Sequence, residues 1–273
     1  IEVSMVLSVI FGIALGGALT GLSEVSEAMT WGIHTQTAPA LTVVMGVYVI
    51  AALLNVGLLP LDRRGAIAPL SLRAMRMSTF WKSNQTLWRD PLGGVSLYVT
   101  TLYWGVGAVV QFAVLVWAQD SLGMSLKSGA YLQALVAVGV VVGAYLAGRV
   151  FKLHAARQAL PWGLVLAVLL PVIVTLSTLW MAIPLLLCVG VAGGMLLVPM
   201  NALLQHRGMQ VLSPGRSIAV QGFNENLCVL LMLAAYSALL AFEVSLPNIM
   251  LLLAVMLVAG IAPLCLSVWR HFR

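Results

Sequence analysis

Long apolar runs, broken by short polar or basic segments, set the rhythm of this chain. No Asp, Glu, Lys or Arg occurs between Asp90 and Asp120, or between Arg157 and Arg207. A helix crossing ~30 Å of hydrocarbon takes about 20 mostly apolar residues. The second run therefore holds two spans, and the polar dip Ser177-Thr178 with Pro184 predicts the turn between them. The whole pattern predicts eight transmembrane helices over 3–20, 38–60, 93–118, 128–149, 160–178, 182–204, 217–241 and 247–268. The short alternating segments of a membrane barrel are not in the pattern. The first residue is Ile1 and the first span begins at once without a cleavable leader, so the sequence is expected to be part of a longer polypeptide.

Composition agrees with the pattern: 62% of the 273 residues are hydrophobic, 8% are charged, and mean hydropathy is +1.05, which fits a bilayer and not a water-soluble globule. The fold class expected is an all-α polytopic membrane protein. Charge then orients it. Arg63, Arg64, Arg73, Arg76, Lys82, Arg89, Arg149, Lys152, Arg157, Arg207, Arg216, Arg270 and Arg273 fall on one side of the predicted spans, and Lys127 alone falls on the other. Lys and Arg near span ends are retained in the cytoplasm. The chain is thus expected to be multi-pass with a cytoplasmic C-terminus, with Glu24, Glu27, Asp120 and Glu243 on the opposite face. The net charge of +6 reads as topology and contact with anionic lipid, with no role in nucleic-acid binding.

The longest cytoplasmic connection divides the chain. Residues 1–60 read as the last two helices of an N-terminal half, 61–92 as a cytoplasmic amphipathic linker, and 93–273 as a six-helix C-terminal half. In the linker Leu72, Met75, Phe80, Trp81, Leu87 and Trp88 interleave with Arg73, Arg76 and Lys82, which suits a helix lying among lipid headgroups; an ordinary solvated loop is the alternative. Two spans before the linker and six after it would suit a transporter of two six-helix halves if four earlier spans were missing from the sequence.

Catalytic chemistry is not in evidence. Cys188, Cys228 and Cys265 lie within spans without CxxC or Cys/His spacing and read as buried small hydrophobes. His34, His154, His206 and His271 suggest no metal site. The sequence carries no nucleophile with its base, Walker loop or dinucleotide fingerprint, so the reading is of a protein without enzymatic activity or cofactor. Gly12-x-x-x-Gly16, Gly139-x-x-x-Gly143 and Gly190-x-x-x-Gly194 have the spacing of close helix packing. Pro171 and Pro199 inside spans are expected to kink their helices.

The informative positions are polar side chains at depth: Gln111, Gln133, Asn201, Gln205, and the group Gln221, Asn224, Glu225 and Asn226 in the seventh span. Glu225 is the one acid placed inside a span. Facing lipid it would cost roughly 2.5 kcal/mol or more, so it needs a partner, a proton or a wet cavity. Gln221 lies one turn before it, and Cys228, Met232 and Tyr236 continue the same face, which should point into the bundle. Gln221 and Asn224 are expected to orient Glu225, and Asn201 and Gln205 to turn toward the same polar face. Burial favours a neutral acid while a bound cation or lipid ammonium group favours the carboxylate, which makes Glu225 the candidate coupling position. A purely structural role in joining helices is the competing reading.

These residues also carry a resemblance. "VPMNALLQHRG" (198–208) and "SIAVQGFNENLCVLLMLAAYS" (217–237) resemble the tenth-to-eleventh-helix region of bacterial lysophospholipid transporters, a branch of the major facilitator superfamily. "LYWGVGAVVQFAVLVW" (102–117) resembles the seventh helix, "LVAVGVVVGAYLAGR" (135–149) the eighth, and "IEVSMVLSVIFGIALGG" (1–17) the fifth. The resemblance covers the chain as helix five to the C-terminus. It implies a major-facilitator-type bundle in the bacterial inner membrane that moves lysophospholipid, chiefly lysophosphatidylethanolamine, to the cytoplasmic leaflet, where an acyltransferase restores the second acyl chain. The implied partners are the lysophospholipid, membrane lipids, that acyltransferase and a coupling cation. An exporter of amphipathic drugs, and a membrane scaffold that docks an acyltransferase, are the alternatives.

Overall fold

The computed structural model describes residues 11, 12, 15, 38–57 and 77–271. Apart from residues 11, 12 and 15, which are helical, the predicted first span lies outside these, as do its outer loop, Gly16 of the first glycine pair, and the basic front of the linker. Among the described residues there are no strands, and the elements are α1 (Ala38–Gly57), α2 (Met77–Arg89), α3 (Gly93–Leu122), α4 (Leu126–Val150), a 3-10 segment (Leu153–Ala159), α5 (Pro161–Ile173), α6 (Leu179–Val211), α7 (Pro214–Ala241) and α8 (Leu246–His271). Among the described residues six stretches are long and apolar enough to cross a membrane, namely α3, α4, α6, α7, α8 and the 3-10 segment joined to α5.

Several boundaries differ from the sequence expectation, among them both ends of the fifth span and of the sixth, which runs from Leu179 to Val211. The fifth span starts at Leu153, not at 160, because Ala156, Ala159 and Leu160 are buried in the bundle and carry the crossing on past Arg157. It stops at Ile173, where the Thr175 hydroxyl donates to the Val172 carbonyl at 2.8 Å. The turn before the sixth span is therefore finished by Thr178, and Pro184 stands inside α6 and not in that turn. Pro184 and Pro199 each remove one backbone hydrogen bond from α6, as Pro171 does from α5.

The core of the six-span unit gathers around α3 and α6. Val106, Val109, Ala113 and Trp117 of α3 meet Leu186, Val189, Ala192, Leu196 and Met200 of α6, with Ile249, Met250 and Leu257 from α8. Trp117 also donates its indole N–H to the Leu176 carbonyl at 3.1 Å, which fastens α3 to the turn between α5 and α6. α1 takes little part: Met45 and Tyr48 on it are 70% and 73% exposed. Cys188 is exposed on α6, and Cys228 and Cys265 are half-buried, so the expectation of three buried cysteines is corrected. In a bilayer an apolar thiol can face lipid at no cost, so apolarity alone does not place it inside.

The most extensive seam joins α4 to α6, and glycine makes it. A β-carbon on Gly139 would sit 2.9 Å from the Gly190 Cα, and one on Gly190 would sit 2.8 Å from the Gly139 Cα. One turn on, a β-carbon on Gly143 would collide with the Val191 carbonyl, and one on Gly194 would lie 2.7 Å from the Ala144 nitrogen. The two GxxxG segments thus face each other in parallel register, and the missing side chains bring backbone to backbone.

At the opposite flank the short turn between α2 and α3 is tied down electrostatically. Asp90 accepts from Arg207 Nη2 at 2.5 Å and Nε at 3.0 Å, and from the Gly93 backbone N–H at 2.6 Å. Arg207 in turn donates to Gln210 at 2.6 Å, whose amide contacts the His206 ring at 3.0 Å. The side-chain hydrogen bond from Arg207 holds the Asp90 carboxyl below the usual carboxylate range against the opposing effect of burial.

Gly143→Val is expected to destabilise the bundle by about 1–3 kcal/mol through backbone overpacking. Gly148→Ala, whose β-carbon meets nothing within 4 Å, serves as its neutral control. Thermal melting of the detergent-solubilised protein followed by size-exclusion chromatography compares the two. The Asp90 tie makes a second expectation. Its lowered folded pKa means that its stabilisation is complete above the unfolded value near 3.9 and is lost as pH falls through the folded value. The melting temperature of Asp90→Asn should lie below that of the wild type by a constant margin at neutral pH, and the margin should shrink below about pH 4.

Candidate functional site

The faces of α3, α4, α5, α6 and α7 that turn toward one another line a partly open apolar cavity of about 400 Å³. Its wall includes Tyr103, Trp104, Gly107 and Val114 from α3, Val136 and Val140 from α4, Leu166 and Leu170 from α5, Gly193 and Leu197 from α6, and Val229 from α7. This size falls within the range of small-molecule sites. Gly193 is needed for it: the Tyr103 hydroxyl lies 2.9 Å from where a β-carbon there would be. Tyr103 also stacks edge-on with Trp104, ring centroids 5.9 Å apart.

Two of the predicted polar positions meet in this wall. Gln111 Nε2 donates to Gln133 Oε1 at 3.3 Å, and Gln133 Nε2 donates to the Gln111 backbone carbonyl at 2.8 Å. The pair bridges α3 to α4, and both side chains line the cavity. Two amides that satisfy each other can be held in an apolar wall and still leave acceptor capacity for a polar ligand group.

A second group forms where α6 and α7 run together. Gln221 Nε2 donates to Asn201 Oδ1 at 2.8 Å and to Glu225 Oε1 at 2.9 Å. Asn201 is 7% exposed, and Gln221 and Glu225 are half-buried. The i, i+4 rows carry these side chains on toward the cavity. Asn201 is one turn from Leu197, which lines it, and Glu225 is one turn from Val229, which does too. Glu225 thus lies beside the cavity and is not itself in its wall. Farther along α7, Cys228 and Met232 pack against Gly105, and Tyr236 is buried.

The remaining predicted residues go elsewhere. Asn224 donates to Asn84 Oδ1 and to the Val220 carbonyl, both at 2.7 Å, and accepts from the Trp88 indole at 3.1 Å. It therefore clasps α2 and does not orient Glu225 as expected, because one residue along a helix turns the side chain by about a quarter of the circle or more. Asn226 is exposed and donates to the Gly222 carbonyl at 2.7 Å. Gln205 is exposed and stays outside the Asn201–Gln221–Glu225 group. Sequence reasoning passed over Tyr103, Trp104 and Val229 as cavity residues and Asn84 as a partner of α7. The adjacent aromatic pair Tyr103-Trp104 is the one signal that could have marked the cavity.

The sequence matches the Major Facilitator Superfamily description over residues 1–223. It is 35% identical over 237 residues to "Lysophospholipid transporter LplT" of Serratia proteamaculans (strain 568), a match that covers 86% of this chain and 56% of that protein. It is 34% identical over 248 residues to the protein of the same name from Enterobacter sp. (strain 638), covering 90% and 58%. With the Pectobacterium carotovorum subsp. carotovorum (strain PC1) protein it is 38% identical over 169 residues, covering 62% and 42%. The chain spans just over half the length of the first two of these relatives. A helical bundle without strands among its described residues, with six apolar crossings and a family match over most of its length, places this chain in the major facilitator superfamily.

Proposed function

We propose that this chain belongs to a secondary transporter and contributes part of a lysophospholipid pathway, chiefly for lysophosphatidylethanolamine, across a bacterial inner membrane toward the cytoplasmic leaflet. The observation that carries the reading is the arrangement of the site: an apolar cavity edged by the Gln111–Gln133 amide pair and flanked by the Asn201–Gln221–Glu225 group. A lysophospholipid has the same two chemistries, a single acyl chain and a zwitterionic headgroup. The names of the relatives support the same substrate class.

In this mechanism the acyl chain occupies the space between Trp104, Val136, Leu170 and Leu197, and removing it from water supplies affinity in proportion to its buried length. The headgroup is bound by amides, and Glu225 faces the ammonium group or a coupling cation. Rocking of two helical halves about the site then exposes it to each side in turn. The excess of Lys and Arg at the α2 end of the bundle sets that end in the cytoplasm, with the C-terminus. An acyltransferase that consumes the delivered lysophospholipid is the partner this direction of movement calls for.

Glu225→Gln keeps shape and hydrogen-bonding capacity but removes the charge. In liposomes of the full-length protein it should slow gradient-driven movement of labelled lysophosphatidylethanolamine at least tenfold while leaving melting temperature near the wild type. Normal rate with normal ion dependence would reduce Glu225 to packing. Export of amphipathic drugs with no lysophospholipid movement would favour the exporter reading, and lack of both activities with retained binding of an acyltransferase would favour the scaffold. For orientation, a reporter fused after Arg273 should be cytoplasmic and one inserted beside Glu24 external; the reverse labelling pattern contradicts the topology.

A further inference from the structure

The contacts of α2 account for only one of its faces. Ser83, Asn84 and Leu87 are buried against the bundle, and Leu87 packs with Leu97, Leu204 and Val220. Phe80 meets the Phe223 ring edge-on at 5.1 Å, and Asn224 bonds both Asn84 and Trp88. The Asp90–Arg207 pair fixes the end of the helix. The rest of the helix surface is left open: Met77 is 78% and Trp81 60% exposed, Lys82 and Arg89 are exposed beside them, and Trp88 sits at the edge of the docked face through its bond to Asn224.

We propose that this open face is a binding surface for anionic phospholipid headgroups, built into the six-span half and independent of which substrate the central cavity carries. Three observations select this occupant. The helix contains two basic residues and no acidic one, and the neighbouring carboxylate, Asp90, is already paired with Arg207. The helix packs on Val220, Phe223 and Asn224, one to two turns inside Arg216, so its open face lies at the depth where headgroups meet acyl chains. Trp81 and Met77 put apolar bodies at that depth, where indoles are favoured, while Lys82 and Arg89 extend toward phosphate.

The docked face makes this surface rigid. A free amphipathic helix loses conformational entropy when it meets lipid; α2 is already folded and held by hydrogen bonds, a ring contact and an ion pair. Its charge is therefore presented at a fixed position relative to α6 and α7. The lipid it recruits is the membrane's own phosphatidylglycerol-type component, which surrounds the protein at high local concentration.

The test titrates the detergent-purified full-length protein with phosphatidylglycerol or phosphatidylcholine and counts bound lipids by native mass spectrometry. The wild type should prefer phosphatidylglycerol. The double variant Lys82→Gln/Arg89→Gln should weaken that binding roughly fivefold for each charge removed, leave phosphatidylcholine binding unchanged, and keep the melting temperature, since neither side chain takes part in docking. Lys82→Arg should restore its share. Trp81→Ala should weaken both lipids alike. Wild-type phosphatidylglycerol affinity in the double variant overturns the proposal, as does equal binding of the two lipids to the wild type. Loss of phosphatidylglycerol binding with intact lysophospholipid transport supports it and leaves the transport reading standing, whereas loss of transport by Glu225→Gln with retained phosphatidylglycerol preference bears on the cavity alone. If the open face instead captures a purified acyltransferase while showing no preference for phosphatidylglycerol, the surface is a protein interface and the lipid assignment fails.

Discussion

Backbone contact between α4 and α6 is the constraint on which the rest of the half depends. Lipid is as apolar as leucine, so helices inside a bilayer gain nothing by hiding greasy side chains from it, and close packing must supply the attraction. Gly139, Gly143, Gly190 and Gly194 supply it by removing what would hold the two helices apart. With α4 drawn against α6, Gln133 comes within reach of Gln111 on α3, and Val136 and Val140 become one wall of the cavity. The second wall then belongs to α3 and α7, where Gly105 performs the same service for Cys228 and Met232.

Polar side chains are distributed on this frame by a different rule. Within the spans the amides find partners, because an unpaired amide in hydrocarbon costs several kcal/mol, while the buried Thr101 and Tyr236 hydroxyls go without one among the described residues. The partners found divide three neighbours on α7 between three tasks: Glu225 joins Gln221 and Asn201 beside the cavity, Asn224 holds α2, and Asn226 returns its amide to the Gly222 carbonyl. The group beside the cavity and the clasp on α2 are thus adjacent on one helix, and a substitution at either Asn224 or Glu225 acts on a different neighbour of α7.

Much of this was legible in the sequence. The six apolar crossings, the helical, amphipathic α2 and the Gln221–Glu225 turn follow from hydropathy and from the 3.6-residue period, which are local properties. What was not legible is which way an apolar side chain faces, because lipid and protein interior accept the same residues; Cys188 outside and Trp117 inside carry no distinguishing mark. The grouping of Asn224 with Glu225 failed for a related reason. Adjacency in sequence is not adjacency on a helix, and the partner of Asn224, at Asn84, is 140 residues away. Pro184 misled because proline marks a turn only where nothing else stabilises a helix through it, and the buried residues Ala182 and Leu186 on either side do so here.

The amide of Gln221 has two hydrogens and both are committed, one to Asn201 and one to Glu225. A phosphate or glycerol oxygen that accepts a bond from this nitrogen can do so only by taking the place of one of those acceptors. Capture at that point is an exchange, with one hydrogen bond formed for each one broken, and so its net gain is small. The same holds in reverse, since a departing ligand finds its replacement waiting at bonding distance. Under the proposed transport role such symmetry is an advantage, because a site that neither rejects its cargo nor holds it is one that turns over.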